Sequence, residues 1–313
     1  MALLHMAQTL TQFDLDQVKV LHIEPTTLCN IACPQCNRTI GDPYYNEERD
    51  CSELTLTKIR NTFSDDFIRQ LDKMFMCGNF GEPAAARETL DIFKYFKQIN
   101  PNITLGMNTN GSLRSTKWWR ELAEILSGQF DYVVWSIDGL EDTNHIYRVG
   151  ARWNKIIDNA QAFIDAGGSA HWDMLIFDYN EHQVDAATEM ARELGFTWFR
   201  AKVSKRFDYA PVDFLNTPKG WTKPNVVKRT GIECIALKER SVYMVANGDV
   251  LPCCWFGAEA FSLDSRAQEL VKDLPQLVES WKTDPHPICS STCGVDEQGT
   301  SFDKQWQKEI QLN

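Results

Sequence analysis

Short apolar runs alternate with longer amphipathic stretches from Val18 to about Ala201, and this alternation is the dominant pattern of the chain. The apolar runs are rich in β-branched and aromatic residues, and they predict strands at residues 18–23, 73–77, 103–108, 132–137, 170–177 and 196–201. Apolar positions at helical spacing predict helices at residues 87–98, 117–126, 154–166 and 182–194. This alternation predicts an α/β fold, a partial (β/α)6 TIM-like barrel over residues 18–202 after an N-terminal extension at residues 1–17.

The alternation ends at residues 203–231, where Pro211, Pro218, Gly220 and Pro224 interrupt both periodicities. We interpret this stretch as a linker. Beyond it, apolar residues at 241–246 and 250–252 flank an Asn-Gly pair, which is a strong signal for a tight hairpin turn. The sequence therefore predicts a small C-terminal domain over residues 232–313 that contains a β-hairpin and a helix.

Charge and cysteine content narrow the class of protein. The net charge of -11 argues against a broad surface for nucleic acid or for an anionic membrane, since either would need a basic face. No signal peptide or membrane-spanning run is present, so we expect a cytoplasmic protein. In a reducing compartment the ten cysteines indicate metal or redox chemistry rather than disulfides. Cys51 and Cys77 stand apart, and we expect both to be buried apolar side chains.

Three cysteines, Cys29, Cys33 and Cys36, follow the first predicted strand with three and then two residues between them. They should lie at the carboxyl end of that strand, the face on which α/β barrels carry their active sites. Thiolates are the usual ligands of iron–sulfur clusters, and three of them leave one iron of a cubane open, as a catalytic site requires. A zinc knuckle is the alternative, but it usually has cysteine pairs separated by two residues.

This spacing after a strand resembles the signature of the radical S-adenosylmethionine (SAM) superfamily. The resemblance implies a 4Fe–4S cluster on the three cysteines and SAM bound at its open iron. It also implies reductive cleavage of SAM to a 5′-deoxyadenosyl radical, which abstracts a hydrogen atom from a substrate. An external donor such as flavodoxin or ferredoxin would supply the electron.

Polar segments at the ends of later strands resemble the SAM contacts of the same family. The turn Gly-Asn-Phe-Gly-Glu-Pro after the second strand resembles the methionine-binding segment, which implies that Glu82 binds the amino group of SAM; a plain helix start is the alternative. Asn108 and Asn110 after the third strand and Ser136 after the fourth resemble contacts on the ribose side. Arg148 resembles an arginine that contacts the methionine carboxylate.

A second group of cysteines lies in the predicted C-terminal domain and consists of Cys234, Cys253, Cys289 and Cys293. Its spacing around Gly248 resembles the start of SPASM and shorter twitch domains, and there are too few cysteines for a full SPASM domain. We therefore predict a twitch domain with one auxiliary 4Fe–4S cluster. Cys254 should point away from Cys253 in an extended chain, so we assign Cys253 as the ligand. A structural zinc site and a purely structural cluster remain alternatives.

The sequence leaves two enzymatic interpretations open. One is oxidation or crosslinking of a peptide residue with the auxiliary cluster as electron acceptor, and the other is dehydrogenation of a small molecule such as an amino sugar alcohol. We expect no fused leader-recognition domain in the short segment before the barrel, so a separate protein would recognise a leader peptide. A small C-terminal module would leave the barrel mouth open, which favours a peptide substrate.

Either oxidation needs a general base, and the candidates by position are Asp138, Asp178 and His286. The interpretation from another class is a non-enzymatic iron–sulfur protein that transfers electrons. That interpretation would leave the polar segments at the strand ends without a reason.

Overall fold

Six parallel strands form the centre of the molecule. The structure is a computed structural model that describes residues 15–39, 51–204, 206–208, 210–221, 231–257, 274–296, 299–300 and 309–312. The strands are β1 (Val20–Ile23), β2 (Lys73–Met76), β3 (Thr104–Thr109), β4 (Tyr132–Ser136), β5 (Ala170–Ile176) and β6 (Trp198–Val203). Each pairs in parallel with the next along the chain. The predicted α/β fold with a mostly parallel sheet is confirmed.

The described residues contain ten helices: α1 (Leu56–Thr62), α2 (Asp65–Gln70), α3 (Thr89–Ile99), α4 (Thr116–Ile125), α5 (Asn144–Tyr147), α6 (Trp153–Asp165), α7 (Val184–Leu194), α8 (Ile235–Glu239), α9 (Leu274–Ser280) and α10 (Pro287–Cys293). Several begin at a hydroxyl cap; the Ser115 side chain, for example, accepts a bond from the Trp118 N–H. Helix α7 ends at Gly195 with φ +88°, a left-handed conformation that glycine adopts without strain. Among the described residues no helix is both long and apolar enough to cross a membrane.

Aromatic side chains fill the layer between the sheet and its helices. Trp119 of α4, Trp135 of β4 and Phe163 of α6 are fully buried in one core cluster. The ring centroids of Trp119 and Trp135 lie 4.6 Å apart, within the range of favourable aromatic contacts. Each large side chain buried here stabilises the fold by roughly 1.5–3 kcal/mol. This packing fixes the strand ends on which the candidate site is built.

The C-terminal part of the chain extends the same sheet. Strand β7 (Ser241–Met244) pairs in parallel with β1, and β8 (Val250–Leu251) pairs antiparallel with β7. The turn between them contains Gly248 with φ +102°, so the predicted hairpin is present. Strand β11 (Glu309–Gln311) adds to the opposite edge, antiparallel to β6, and β9 (Val295–Asp296) and β10 (Gly299–Thr300) form a separate pair. The hairpin of the second cysteine group thereby pairs with β1, the strand that directly precedes the first cysteine group.

Candidate active site

The loop after β1 carries the three cysteines of the first group. Cys33 is buried, and Cys29 and Cys36 are half-buried. The loop is tightly turned, since the Cys36 N–H donates to the Cys33 carbonyl oxygen at 3.0 Å. It is also tied to the turn between α5 and α6, because the Ala32 N–H donates to the Val149 carbonyl at 2.9 Å. Three soft sulfur donors on one short, anchored loop suit an iron–sulfur cluster.

Burial favours the protonated form of two of these thiols, those of Cys29 and Cys33. Burial, with a smaller contribution from the Glu82 charge, raises the pKa of Cys29 to about 11. Burial likewise raises the pKa of Cys33 to about 12. Because metals bind the thiolate, assembly of a cluster here releases protons. The energy of the metal–sulfur bonds must therefore exceed this protonation preference.

Arg148 and Asn110, two residues expected to contact SAM, reach the cysteine loop. The Arg148 Nη1 lies 3.8 Å from the Cys33 sulfur, and the Asn110 Nδ2 lies 3.8 Å from the Cys29 sulfur. Arg148 is held in place by an ion pair, in which its Nε donates to Asp138 Oδ2 at 2.6 Å. The structure thus brings together residues from the ends of β1, β3 and β4.

Asp138 is the partner of Arg148 and is almost completely buried. Its second oxygen accepts the Leu175 N–H at 2.6 Å. Burial raises the pKa of Asp138, and the charge of Arg148 opposes that rise. With both oxygens engaged, this carboxyl group positions Arg148, and it is poorly placed to take a proton from a substrate.

Glu82 follows β2 and is a buried carboxylate, with 3% of the residue exposed. It accepts three bonds: from the Thr109 hydroxyl at 2.6 Å, from the Asn110 N–H at 2.7 Å and from the Ala84 N–H at 3.1 Å. It also caps the short helix of residues 83–85, which is the alternative role considered above. A carboxylate offers about four acceptor positions, and within the described chain Glu82 makes no ion pair. One acceptor position and an unpaired buried charge suit an ammonium group.

The remaining sequence candidates lie at different places. Asn108 and Ser136 are half-buried at the carboxyl ends of β3 and β4, and neither side chain forms a hydrogen bond with a described residue. Asp178 is half-buried after β5, and its Oδ2 accepts the Asn216 amide at 2.9 Å. His286 lies apart from these strand ends, where its Nδ1 caps α10 and its ring contacts Phe256.

Glu24, directly after β1, is a central residue that sequence analysis missed. It is fully buried, and its carboxylate accepts the N–H groups of Asn79, Phe80 and Gly81 at 3.0–3.1 Å. The Tyr243 hydroxyl of β7 donates to the same carboxylate at 2.9 Å. Glu24 therefore shapes the turn that precedes Glu82 and links it to the hairpin. An acidic residue ending an apolar strand was the available signal.

Gln35, between the second and third cysteines, is a second missed residue. Its Nε2 donates to the Ala210 carbonyl at 3.0 Å, and its Oε1 accepts the Ser204 hydroxyl at 2.8 Å. The Arg206 guanidinium donates to the Gln35 carbonyl at 2.7 Å. Leu215 packs in the same small cluster as Cys33. Part of the segment predicted as a linker thus packs directly on the cysteine loop.

The cysteines of the second group line one cavity together with apolar side chains; the sulfur-bearing residues are Cys234, Cys253, Cys289 and Cys293. The backbone brings the ends of the group together, since the Glu233 N–H donates to the Cys293 carbonyl at 2.9 Å. A hydrogen bond from Cys293 lowers the pKa of Cys234. In the described part of the chain, no three His, Cys, Asp or Glu side chains are grouped to hold one metal ion. That finding concerns a single metal ion, whereas the thiolates around a 4Fe–4S cluster each bind a different iron atom.

Cys254 and Cys77 lie outside that cavity lining. Burial, followed by the charge of Glu24, raises the pKa of Cys254 to about 12, and Asn79 hydrogen-bonds to its thiol. Cys77 is buried and donates to Glu24 Oε2 at 3.1 Å. Cys51 is exposed, so the prediction that it is buried was wrong. An isolated cysteine beside residues that break the apolar pattern gives no reliable indication of burial.

The sequence of this chain is similar to those of a known protein family and of one characterised protein. The family model of the Radical SAM superfamily matches residues 23–196, which is more than half of the chain. A cofactor-modifying protein for the tungsten-containing aldehyde ferredoxin oxidoreductase of Pyrococcus furiosus is 29% identical over 133 residues, which is 42% of this chain. That match spans 34% of the relative, about a third of its length.

Solved structures show the same fold. Streptococcus suis SuiB bound to its precursor peptide SuiA is 17% identical with a TM-score of 0.56, covering 86% of this chain and 67% of SuiB. The structure of native anSMEcpe with bound AdoMet is 15% identical with a TM-score of 0.55, covering 88% of each chain. At these identities the likeness concerns the fold.

The chain belongs to the radical SAM superfamily, and it is an enzyme. Membership implies a 4Fe–4S cluster and SAM, which together supply reductive cleavage of SAM to begin radical chemistry. The three-thiol loop and the buried, unpaired Glu82 carboxylate fit these two groups. The superfamily resemblance proposed from the cysteine spacing is confirmed.

Proposed function

We propose that this radical SAM enzyme oxidises or crosslinks a residue of a peptide and uses a second, auxiliary 4Fe–4S cluster as electron acceptor. The observation that carries the proposal is the cavity lined by four cysteines that lie far apart in the sequence: Cys234, Cys253, Cys289 and Cys293. Four thiolates suffice to ligate one cluster completely. On this proposal, residues 232–313 form a twitch-type module, and part of residues 203–231 covers the first cysteine loop.

In the first site, Cys29, Cys33 and Cys36 would hold the SAM-binding cluster. Glu82 would accept the amino group of SAM with its remaining acceptor position, and Arg148 would bind the methionine carboxylate. Asn110 would orient the cofactor from the end of β3, with Asn108 and Ser136 on the ribose side. This division of roles matches the charges of the site, since the buried Glu82 carboxylate would pair with the ammonium group and the half-buried Arg148 guanidinium with the carboxylate.

The oxidation balances when two electrons and two protons leave the substrate. Abstraction of a hydrogen atom removes one electron and one proton. An auxiliary cluster held by the four cysteines of the second group would supply the acceptor for the second electron, and a base would take the second proton. We propose Asp178 as that base, because it is half-buried after β5, whereas Asp138 is paired with Arg148 and His286 caps α10. A flavodoxin or ferredoxin would supply the electron that starts each cycle.

The fold shared with SuiB supports a peptide substrate. The structural match covers 86% of this chain, and the SuiB structure contains its precursor peptide. A separate leader-recognition protein would present the peptide. The match to the Pyrococcus furiosus protein favours a second candidate, modification of a metal cofactor. Dehydrogenation of a small molecule such as an amino sugar alcohol is the third.

Iron content after anaerobic reconstitution tests the auxiliary cluster. Two clusters predict about eight iron atoms per chain, and replacing the four second-group cysteines by Ala should remove about half of them. That variant should still cleave SAM, but it should not release oxidised product. Cys51→Ala is the matched control, because Cys51 is exposed and outside both groups. About four iron atoms in the wild-type chain would remove the auxiliary cluster from the account.

Mass spectrometry of candidate substrates tests the reaction. Peptides encoded beside this gene should lose two hydrogen atoms when incubated with enzyme, SAM and reductant. Modification of the cofactor of a tungsten-containing oxidoreductase or of an amino sugar alcohol, with peptides unchanged, would replace the peptide proposal by one of the other two.

A further inference from the structure

The turn at residues 78–82, which carries Glu82, is held in place from three directions. The first is the segment that leads into the first cysteine group. The Glu82 N–H donates to the Leu28 carbonyl oxygen at 2.7 Å. A Cβ added to Gly81 would lie 1.9 Å from the Thr26 carbonyl oxygen, so only glycine allows the two backbones to approach this closely. The turn is therefore wedged against the backbone before the cysteine loop.

Glu24 holds the turn from a second direction. Its carboxyl oxygens accept the N–H groups of three consecutive residues at 3.0–3.1 Å, those of Asn79, Phe80 and Gly81. Glu24 is fully buried, and a buried N–H group that loses its partner costs roughly 1–3 kcal/mol. The backbone of the turn therefore follows the position of the Glu24 carboxyl group, and Glu82 is the next residue along the chain.

The C-terminal hairpin holds the turn from the third direction, through Glu24. Strand β7 pairs with β1 so that Tyr243 lies opposite His22, close to the end of β1. The Tyr243 hydroxyl donates to Glu24 Oε2 at 2.9 Å, and Tyr243 is fully buried. The Cys77 thiol donates to the same oxygen at 3.1 Å. A side chain of the C-terminal part of the chain thus fixes the carboxyl group on which the turn depends.

The segment after the hairpin also packs directly on the turn. A Cβ added to Gly257 would come within 2.6 Å of the Phe80 ring and within 3.2 Å of the Tyr243 ring. Asn79 of the turn hydrogen-bonds to the Cys254 thiol of the same segment. Residues of the C-terminal part of the chain therefore contact the turn both through the polar cluster around Glu24 and through the Phe80 ring.

We propose that Tyr243 is a positioning residue for SAM binding. Its hydroxyl group fixes the Glu24 carboxyl group, Glu24 fixes the N–H groups of residues 79–81, and this turn positions Glu82 for the amino group of SAM. The inference rests on the role proposed above for Glu82, and it depends on neither the peptide substrate nor the auxiliary cluster. It makes the C-terminal hairpin a part of the SAM site.

Equilibrium dialysis of SAM against the full reconstituted chain tests the role of Tyr243. Tyr243→Phe removes only the hydroxyl group and should weaken SAM binding about fivefold or more, the size at which coupling between sites usually begins. Formation of 5′-deoxyadenosine should show a raised KM for SAM and an unchanged kcat. Tyr95→Phe is the matched control, because its hydroxyl also donates to a carboxylate, Asp65 Oδ1 at 2.7 Å, between α3 and α2. Its SAM affinity should equal that of the wild type.

Hydrogen exchange of the reconstituted chain without SAM reports on the turn itself. The N–H groups of residues 79–81 should exchange faster in Tyr243→Phe than in the wild type or in Tyr95→Phe. Gly257→Ala displaces the Phe80 ring and should likewise weaken SAM binding. Its control is Gly231→Ala, because a Cβ at that position would meet no atom within 4 Å.

Equal SAM affinity in Tyr243→Phe and Tyr95→Phe, or equal exchange at residues 79–81 in both, would overturn the positioning role. Glu82→Gln separates this role from the assignment on which it rests. Weaker SAM binding by Glu82→Gln together with unchanged binding by Tyr243→Phe would overturn the positioning role alone. Unchanged binding by Glu82→Gln would overturn the assignment of Glu82 and the positioning role together.

Discussion

Replacing Gln35 by Met should loosen the loop that carries the first three cysteines. Gln35 is fully buried and joins this loop to Ser204 and Ala210 through its side-chain amide. Methionine has nearly the same length and shape, so the substitution removes two hydrogen bonds without opening a cavity. The bond from Arg206 to the Gln35 backbone carbonyl is retained.

The magnitude follows from the burial of the groups left behind. Ala210 is buried, so its carbonyl would lose its partner out of contact with water. The Ser204 hydroxyl would lose its acceptor, but it still accepts the Arg206 N–H at 3.2 Å. A stranded buried polar group costs roughly 1–3 kcal/mol, so the substitution should lower the free energy of unfolding by about that amount. A large fraction of the stability of an ordinary domain would be lost.

Urea unfolding of the iron-free chain measures this decrease, and the rate of iron loss to a chelator reports on the loop itself. Gln161→Met is the matched control, because Gln161 bonds only across the exposed face of α6 to Asp165, and its effect should stay within about 0.5 kcal/mol. Iron should leave the Gln35→Met variant faster than the wild type or the control. Equal stability and equal iron loss in all three chains would refute the role assigned to Gln35.

Three further predictions concern buried and half-buried carboxyl groups. Burial raises the pKa of Glu24 from 4.5 to about 7, so the folded chain keeps a proton that the unfolded chain has released. The free energy of unfolding of the wild-type chain should therefore fall by about 3 kcal/mol more between pH 4.5 and 7 than that of Glu24→Gln. Glu189→Gln is the control and should keep the wild-type pH dependence. The same pH dependence in Glu24→Gln as in this control would contradict the prediction. Asp138→Asn leaves the half-buried Arg148 without its counter-charge and should cost about 3 kcal/mol in urea unfolding. An effect below about 0.5 kcal/mol would contradict the ion pair. Asp178→Asn should stop product formation but not formation of 5′-deoxyadenosine, and oxidised product from that variant would exclude Asp178 as the base.

The strands were predictable because each is a short apolar run with turn residues at its ends. The observed bounds of β1 to β6 lie within two residues of the predicted ones. Helices α3, α4, α6 and α7 were predictable for the same reason, since each has a continuous apolar face. The short helices α1 and α2 were missed because seven and six residues give too little periodicity.

Contacts between distant segments lay beyond sequence reasoning. Nothing in the local sequence of Glu24 indicates that its partners are the turn at residues 79–81 and Tyr243. Likewise, the Pro- and Gly-containing stretch around Ala210 has no periodicity, yet it packs on Gln35. Asp138 was considered as a base from its position alone, and only the three-dimensional structure reveals its ion pair with Arg148. Local sequence patterns predict helices and strands, whereas the role of a side chain depends on the distant residues that it contacts.

Formation of 5′-deoxyadenosine from SAM tests the central claim most directly. The anaerobically reconstituted chain with a strong reductant should form this product, and the variant with Cys29, Cys33 and Cys36 replaced by Ala should form none. The variant should keep an iron–sulfur signal from the second cysteine group. Absence of 5′-deoxyadenosine with the wild-type chain, or its undiminished formation by the triple variant, would contradict radical initiation at these three cysteines.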